Sequence, residues 1–294
     1  MRVGDLPTPA LVVDAGVLAA NLDVMRDALP GGRLRPHVKA HKCTEVAREQ
    51  VARGHAGLTV ATPREALGLA AVGLGGDLLL ANQVLDPVRL RALAECGARV
   101  TVAVDSDATV AAAAAAGIRE VLVDVAVGMP RCGCDPAEAG RIAERARAAG
   151  LTVRGIMGYE GHVVGLESQD ERVRLTADAM ARLLEAHGEV GGELISAGGT
   201  GTYAVNTWAN EIQAGSYALM DTALSRGLSA SMRPIAWSTS SSGLAWPERT
   251  SSACAVASIR WNCVAAGMGG SGARRGGRAG RGVCGGAGGP RGAR

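Results

Sequence analysis

Residues 99–127 have the sequence RVTVAVDSDATVAAAAAAGIREVLVDVAV and contain one strand–helix–strand unit. The apolar runs at 99–105 and 120–127 predict two strands, and the alanine-rich run at 107–116 predicts a helix that ends at Gly117. The second run is almost continuous in Val and Leu. Such strands are buried on both faces, as in a parallel sheet covered by crossover helices. This unit therefore predicts a parallel α/β fold.

The same alternation recurs along residues 1–224. Apolar runs predict strands at 34–39, 57–62, 77–82, 99–105, 120–127, 152–159, 194–198 and 211–219, after a short one at 10–14. Amphipathic runs predict helices at 16–29, 44–53, 64–72, 86–96, 107–116, 135–149 and 170–188. Eight strands alternating with helices over about 220 residues predict a (β/α)8 TIM-type barrel, with a doubly wound open sheet as the alternative.

Charge divides the chain into two parts. Residues 1–224 hold 21 Lys and Arg against 27 Asp and Glu, whereas residues 225–294 hold 10 Arg, no Lys and one acid. The second part has 15 Gly and 11 Ser and no periodic apolar pattern. We predict a barrel domain at 1–224 and a low-complexity, disordered tail at 225–294. Nucleic-acid binding by the tail is disfavoured, because its arginines are not interleaved with aromatic residues.

Several features predict a cytoplasmic protein with no membrane partner. No apolar stretch reaches the roughly 18 residues of a membrane span. The N-terminus lacks the basic and apolar regions of a signal peptide. The seven cysteines are scattered and do not form a disulfide framework, which favours a reducing compartment.

Residues 34–42, LRPHVKAHK, carry the strongest chemical signal. On a strand, His37, Lys39 and His41 would share one face. If that face points into the barrel, burial lowers the pKa of Lys39, and a neutral amine is what Schiff-base chemistry with an aldehyde cofactor needs. A salt-bridged lysine is the alternative. A metal pair of His37 and His41 is disfavoured, because it would leave Lys39 between the ligands.

A glycine-rich loop, SAGGTGTY at 196–203, follows the predicted seventh strand, and a Gly-Ser step follows in the eighth. Glycines let a backbone approach an anion, and Thr hydroxyls and free N–H groups donate to phosphate oxygens. The loops after strands seven and eight are the usual phosphate site of this barrel. The predicted cofactor-binding residues here are Gly199, Thr200, Gly201, Gly215 and Ser216.

The ends of the predicted fifth and sixth strands supply further candidates. Arg131 offers a guanidinium to a phenolate or carboxylate. Tyr159 offers a ring that would pack on a cofactor, and His162 is a candidate catalytic acid–base group. A surface arginine and a hydrogen-bonded structural histidine are the alternatives.

Taken together, these segments resemble the fold-type III pyridoxal-phosphate enzymes. The matching segments are LPTPA at 6–10, RPHVKAHK at 35–42, GMPRCG at 128–133, GGTGTY at 198–203 and QAGSY at 213–217. They are most similar to the group of D-threonine aldolase and metal-dependent D-serine dehydratase, which is related to the N-terminal domain of alanine racemase. The resemblance covers residues 6 to about 222.

The resemblance implies a cofactor, a reaction class and residue roles. Lys39 would hold pyridoxal 5'-phosphate covalently, Thr200, Gly215 and Ser216 would hold its phosphate, Tyr159 would line it and Arg131 would lie near its phenolic oxygen. The implied activity is a lyase acting on a small D-3-hydroxy amino acid, by aldol cleavage of D-threonine or dehydration of D-serine. The alternatives are a non-catalytic barrel that binds the cofactor, an amino-acid racemase, and an unstable product without function.

The sequence departs from this family in two places. Ala126 stands where relatives usually have an Asp. The family continues into a β-rich second domain that binds a divalent metal, zinc or manganese, through a His with a Cys or Asp, and it often dimerises. No His follows His187, so we assign no metal ligand. We interpret residues 225–294 as an out-of-frame read of GC-rich coding DNA, an interpretation that sequencing of the source DNA tests.

Overall fold

Seven parallel strands form one sheet in the order of the chain. The computed structural model of the protein describes Pro7 and residues 12–220. The strands are β1 Leu58–Val60, β2 Leu78–Leu80, β3 Val100–Val104, β4 Glu120–Asp124, β5 Thr152–Met157, β6 Leu194–Ala197 and β7 Glu211–Ile212. Each strand pairs in parallel with the next one along the chain.

An eighth extended segment, residues 34–37, closes this sheet into a ring. The Arg35 N–H donates to the Ile212 carbonyl of β7 at 3.0 Å. On the other side, the Thr59 N–H of β1 donates to the Pro36 carbonyl at 2.9 Å. Both neighbours of segment 34–37 are parallel to it. The predicted eight-stranded barrel is confirmed, and the doubly wound open sheet is wrong.

Seven α-helices accompany the strands in the described part of the chain. They are α1 Ala15–Ala28, α2 Thr44–Ala52, α3 Pro63–Ala71, α4 Pro87–Glu95, α5 Asp107–Ala115, α6 Ala139–Ala148 and α7 Gln169–Val190. Short 3-10 helices cover Gly31–Arg33, Val38–Ala40, Pro136–Glu138 and Ser216–Ala218. Between β6 and β7 a loop replaces the crossover helix. None of the helices in the described residues is long and apolar enough to cross a bilayer.

Local sequence signals explain where the helices begin and end. The side chains of Thr62, Asp86 and Ser106 each accept a hydrogen bond from an N–H in the first turn of the helix that follows. The glycines that follow five of the predicted helices all have positive φ, as C-capping requires. They are Gly54, Gly73, Gly97, Gly117 and Gly150.

Three predicted strands differ from the structure. The strand at 34–39 is extended only over 34–37, because the chain turns into a 3-10 helix at Val38 and the His37 side chain accepts a hydrogen bond from the Lys39 N–H. The strand at 211–219 ends at Ile212, and Ser216–Ala218 forms a 3-10 helix. Residues 12–14 are not a strand, and Asp14 caps α1 instead. The predicted tail, 225–294, lies outside the described residues.

Side chains that alternate along the strands build two apolar layers. Leu78 and Leu80 of β2 belong to the large core between strands and helices. Leu79 of β2 points the other way and joins Leu122 and Met157 in a separate cluster inside the barrel. This inner cluster fills the barrel as in other TIM-type folds, so the ring is a packed core and not a pore.

The two ends of the barrel differ in chemistry. Ion pairs fill the amino end, where Arg35 pairs with Glu211 at 2.7 Å and with Asp77 at 2.9 Å. Arg154 also pairs with Asp77 there, at 3.0 Å. At the carboxyl end, Met157 forms part of the wall of an open cleft. The carboxyl end is therefore the functional face.

Candidate active site

The cleft at the carboxyl end brings together seven of the nine predicted site residues. They are Lys39, Arg131, Tyr159, Gly199, Thr200, Gly215 and Ser216. These residues come from segments spread over most of the described chain, and the barrel alone makes them neighbours. His162 and Gly201 do not line the cleft.

Lys39 enters the cleft from the 3-10 helix Val38–Ala40. The expectation of a buried strand lysine is wrong, since its side chain is exposed within the cleft. Partial desolvation still lowers the pKa of Lys39, and the nearby positive charge of Arg131 lowers it further, while Glu65 opposes the shift. A larger fraction of neutral amine than in an ordinary lysine is therefore available at Nζ.

Of the two histidines that flank Lys39, only His37 lines the cleft with it. His37 is buried and lines the cleft, and its Nδ1 lies 3.5 Å from the Lys39 N–H that it accepts. His41 turns away, and its Nε2 lies 3.2 Å from Gln50 Oε1. Burial lowers the pKa of His37 well below its usual value and that of His41 to about 4, so both rings are neutral. In the described residues, no group of three or more His, Cys, Asp and Glu side chains could hold a metal.

Two cationic groups lie near the ring of Tyr159. Lys39 Nζ is 5.6 Å from the centre of the ring and Arg131 Cζ is 5.5 Å from it. Both distances suit a cation–π interaction. Burial raises the pKa of Tyr159, so its phenol stays neutral beside these cations. The three side chains thus give the cleft a positive, flat-walled side.

The cleft is also lined by a cup of backbone groups from Gly199, Thr200, Gly215 and Ser216, which we call the anion cup. The Thr200 hydroxyl accepts the Tyr217 N–H at 3.0 Å and so ties its two loops together. The N–H groups of Thr200, Gly215 and Ser216 donate to no acceptor within residues 12–220. Three unpaired N–H groups around a polar recess fit an anion such as phosphate.

Close backbone packing explains the glycines around the cup. A Cβ on Gly215 would lie 2.4 Å from the His37 carbonyl oxygen, so the cup and the Lys39 turn can touch only if residue 215 has no side chain. A Cβ on Gly201 would lie 2.3 Å from the Val164 carbonyl oxygen. Gly201 therefore packs against the loop after β5, behind the cup, and does not face the cleft.

His162 lies apart from the residues that line the cleft. Its side chain is exposed and rests on Gly128, where an added Cβ would be 2.9 Å from the imidazole Cε1. Its role as an acid–base group stays a prediction, which the position of the ring does not favour.

Two buried carboxyl groups near the cleft were missed by the sequence reasoning. Asp124 ends β4, accepts a hydrogen bond from Gln83 Nε2 at 2.7 Å and lies 3.5 Å from Cys132 Sγ. Burial raises the pKa of Asp124 to about 6. Glu160 is fully buried beside the anion cup. In the sequence, the signal for Asp124 was a carboxyl group within the apolar run 120–127. The signal for Glu160 was a carboxyl group next to glycine, directly after Tyr159.

Comparison with known proteins identifies the family. The family model described as alanine racemase, N-terminal domain, matches residues 13–223. The chain belongs to this alanine racemase N-terminal domain family. Within the family, it is 35% identical over 234 residues to a D-threonine aldolase of Arthrobacter sp., covering 73% of this chain and 61% of that protein. It is also 35% identical over 243 residues to a 3-hydroxy-D-aspartate aldolase of Paracoccus denitrificans, covering 75% of this chain and 62% of that protein.

A solved structure of the family shows the same architecture. D-threonine aldolase from Filomicrobium marinum superposes with a TM-score of 0.71 at 32% identity, covering 80% of this chain and 68% of that one. The chain spans about 61–62% of the length of the curated aldolases that it matches. The family likeness therefore concerns the barrel, which carries the cleft.

Proposed function

We propose that this chain is a pyridoxal-phosphate-dependent lyase acting on D-3-hydroxy amino acids, by aldol cleavage or dehydration. One observation carries the proposal: the barrel brings the Lys39 amine, the ring of Tyr159 and the anion cup into one cleft. The two aldolases named above, both of which act on D-3-hydroxy amino acids by name, support the reaction class. We further propose that residues 1–224 are the cofactor domain.

The described residues fit pyridoxal phosphate. The anion cup matches its phosphate, since three N–H groups there lack acceptors within residues 12–220. Lys39 supplies the amine that would bind its aldehyde, and Tyr159 supplies a flat wall for its ring. Arg131, near Tyr159, is the cation that would lie close to the phenolic oxygen. When bound, the cofactor supplies an aldehyde and an electron-withdrawing ring.

The side chains of the cleft then have distinct tasks. Lys39 reacts as the neutral amine, because desolvation and Arg131 lower the pKa of its ammonium group. Lys39 Nζ, which lies in the cleft, would also be placed to accept and return a proton of the substrate. His37 stays neutral because burial lowers its pKa, and its Nδ1 accepts the Lys39 N–H at 3.5 Å, which helps to hold the turn that carries Lys39.

The decisive binding experiment uses the fact that the chain has only two lysines, Lys39 and Lys42. Purified protein is mixed with pyridoxal phosphate, reduced with borohydride and analysed by peptide mass. We expect the adduct on Lys39 and its loss in Lys39→Arg. Lys42→Arg is the matched control, because Lys42 is exposed and pairs with Glu65 at 3.3 Å. No adduct at Lys39 in the wild type would remove the cofactor proposal.

Turnover then separates the candidate reactions. We expect cleavage of D-threonine or deamination of D-serine, assayed with and without added Mn²⁺ or Zn²⁺. Interconversion of D- and L-alanine without either lyase reaction would indicate a racemase. A Lys39 adduct without any turnover would indicate a barrel that binds the cofactor but does not catalyse.

A further inference from the structure

A buried carboxyl group, Glu160, lies behind the anion cup and takes no part in the function proposed above. The residue is 0% exposed, although it directly follows Tyr159, which lines the cleft. A buried carboxyl group is tolerated only where hydrogen-bond donors satisfy its oxygens. The donors around Glu160 therefore show what it holds in place.

Within the described residues, the donors to Glu160 all belong to the loop after β6. Its Oε2 accepts the Gly198 N–H at 3.1 Å. Its Oε1 accepts the Thr202 hydroxyl at 2.7 Å and Asn206 Nδ2 at 3.2 Å. The Thr202 hydroxyl in turn accepts the Gly199 N–H at 3.1 Å. The carboxyl group thus ties down both ends of the loop 198–202, which carries Thr200.

These bonds sort the donors of the loop into two groups. The N–H groups of Gly198 and Gly199 are used inside the protein, by Glu160 and by the hydroxyl that Glu160 holds. The N–H of Thr200 has no acceptor within residues 12–220. The anchoring therefore selects which backbone donor is left for a ligand.

We propose that Glu160 is a positioning residue that fixes the loop 198–202 in the shape in which Thr200 binds the cofactor phosphate. The proposal rests on the function proposed above, since it presupposes that the anion cup holds a phosphate. Glu160 lies behind the loop and acts through it.

The isosteric variant Glu160→Gln is a sharp test. A glutamine has one acceptor oxygen and one donor amide nitrogen. If the amide nitrogen takes the place of Oε2, it faces the Gly198 N–H. If it takes the place of Oε1, it faces Asn206 Nδ2, which cannot accept. Either orientation sets a donor against a donor, so the loop must shift.

The readout compares pyridoxal phosphate with pyridoxal, which has the same aldehyde and no phosphate. In Glu160→Gln we expect the Kd for pyridoxal phosphate to rise at least about tenfold, because a buried donor is left unpaired. We expect the Kd for pyridoxal to change less than about twofold. Glu120→Gln is the control, since Glu120 accepts the Thr101 hydroxyl at 3.2 Å at the amino end of the barrel. It should leave both constants unchanged.

Each other outcome overturns the proposal. An equal loss for both ligands in Glu160→Gln would mean that Glu160 only supports the fold, and no loss would mean that the loop does not depend on it. A wild type that binds neither ligand would overturn the proposed function together with this inference. Binding by the wild type with an unchanged ratio in the variant would overturn this inference alone.

A second pair of variants decides the matter if Glu160→Gln does not fold. Thr202→Val removes the hydroxyl that links Glu160 to the Gly199 N–H, whereas Thr202→Ser keeps it. We expect Thr202→Val to lose affinity for pyridoxal phosphate selectively and Thr202→Ser to behave as the wild type. Equal behaviour of the two variants would overturn the proposal.

Discussion

Substitution of Gly215 by alanine tests the contact on which the site depends. Gly215 has φ of −138° and ψ of −41°, outside the left-handed region that favours glycine, so the main effect of an alanine comes from the contacts of its methyl group. That methyl group would lie 2.4 Å from the His37 carbonyl oxygen and 2.9 Å from its Cβ. The obstacle is backbone, and it belongs to the turn that carries Lys39.

The size of the effect follows from the geometry. An ordinary contact of a Cβ atom is 3.4 Å or more, so either the cup or the Lys39 turn must move by about 1 Å. Overpacking of this kind costs about 1–3 kcal/mol. We expect this cost to be divided between the free energy of unfolding and the binding of pyridoxal phosphate. If binding carries all of it, the Kd rises about 5- to 150-fold.

The assay measures urea unfolding and cofactor affinity side by side, with Gly188→Ala as the matched control. Gly188 lies in α7, and an added Cβ there meets no atom within 4 Å. This control should stabilise the protein by about 0.5–1 kcal/mol, because alanine is the better helix former, and should leave the Kd unchanged. If Gly215→Ala changes neither quantity, the contact between the cup and the Lys39 turn is not as described.

Three further predictions follow from charges near the barrel ends. Burial and the charge of Arg131 lower the pKa of Lys39, so Arg131→Gln should raise it. The pH midpoint of borohydride-trapped cofactor binding should then move to higher pH, and an unchanged midpoint would contradict this. Burial raises the pKa of Asp124 to about 6, so between about pH 4 and pH 6 the folded protein keeps a proton that the unfolded chain has lost. The free energy of unfolding of the wild type should therefore fall as the pH rises through this range, and thermal unfolding of Asp124→Asn should show no such fall. Arg35→Met leaves the buried carboxylate of Glu211 without its cationic partner, so the free energy of unfolding in urea should fall by about 3–5 kcal/mol. A fall of less than about 1 kcal/mol would refute the importance of that ion pair.

The barrel was predictable because its signals are local and repeated. Each unit carries an apolar run for the strand, an amphipathic run for the helix and, in most cases, a glycine at the helix end, and the positive φ of Gly117 shows why that glycine was informative. The apolar run at 34–39 predicted too long a strand, because its last residues form a turn. That turn is held by the His37 side chain and by the hydrogen bonds of the barrel seam, the junction between segment 34–37 and its neighbours β7 and β1. Such tertiary interactions cannot be read from the two-residue alternation of side chains along a strand.

The site was predictable to the extent that its residues lie at strand ends. Each of four site residues follows a different strand, and closure of the barrel brings them together in the cleft at its carboxyl end. They are Lys39, Arg131, Tyr159 and Thr200. Residues 159–162 are the part of the site that local sequence resolves least. The predicted acid–base role of His162 rests on its imidazole chemistry and stays a prediction. The structure leaves His162 exposed and buries Glu160, a difference in burial that only three-dimensional packing sets.

Closure of the barrel between its first and last segments also bears on how the protein folds. Arg35 and Glu211 are 176 residues apart in the chain, so their contact is non-local and closes a long loop at an entropic cost. Lys39 lies on one side of that seam, and Gly215 and Ser216 lie on the other. A ligand that bridges the seam binds the closed ring and not the open one, and by mass action it draws the folding equilibrium toward closure. A bound cofactor would therefore act as a clasp on the junction between the first and last segments of the barrel.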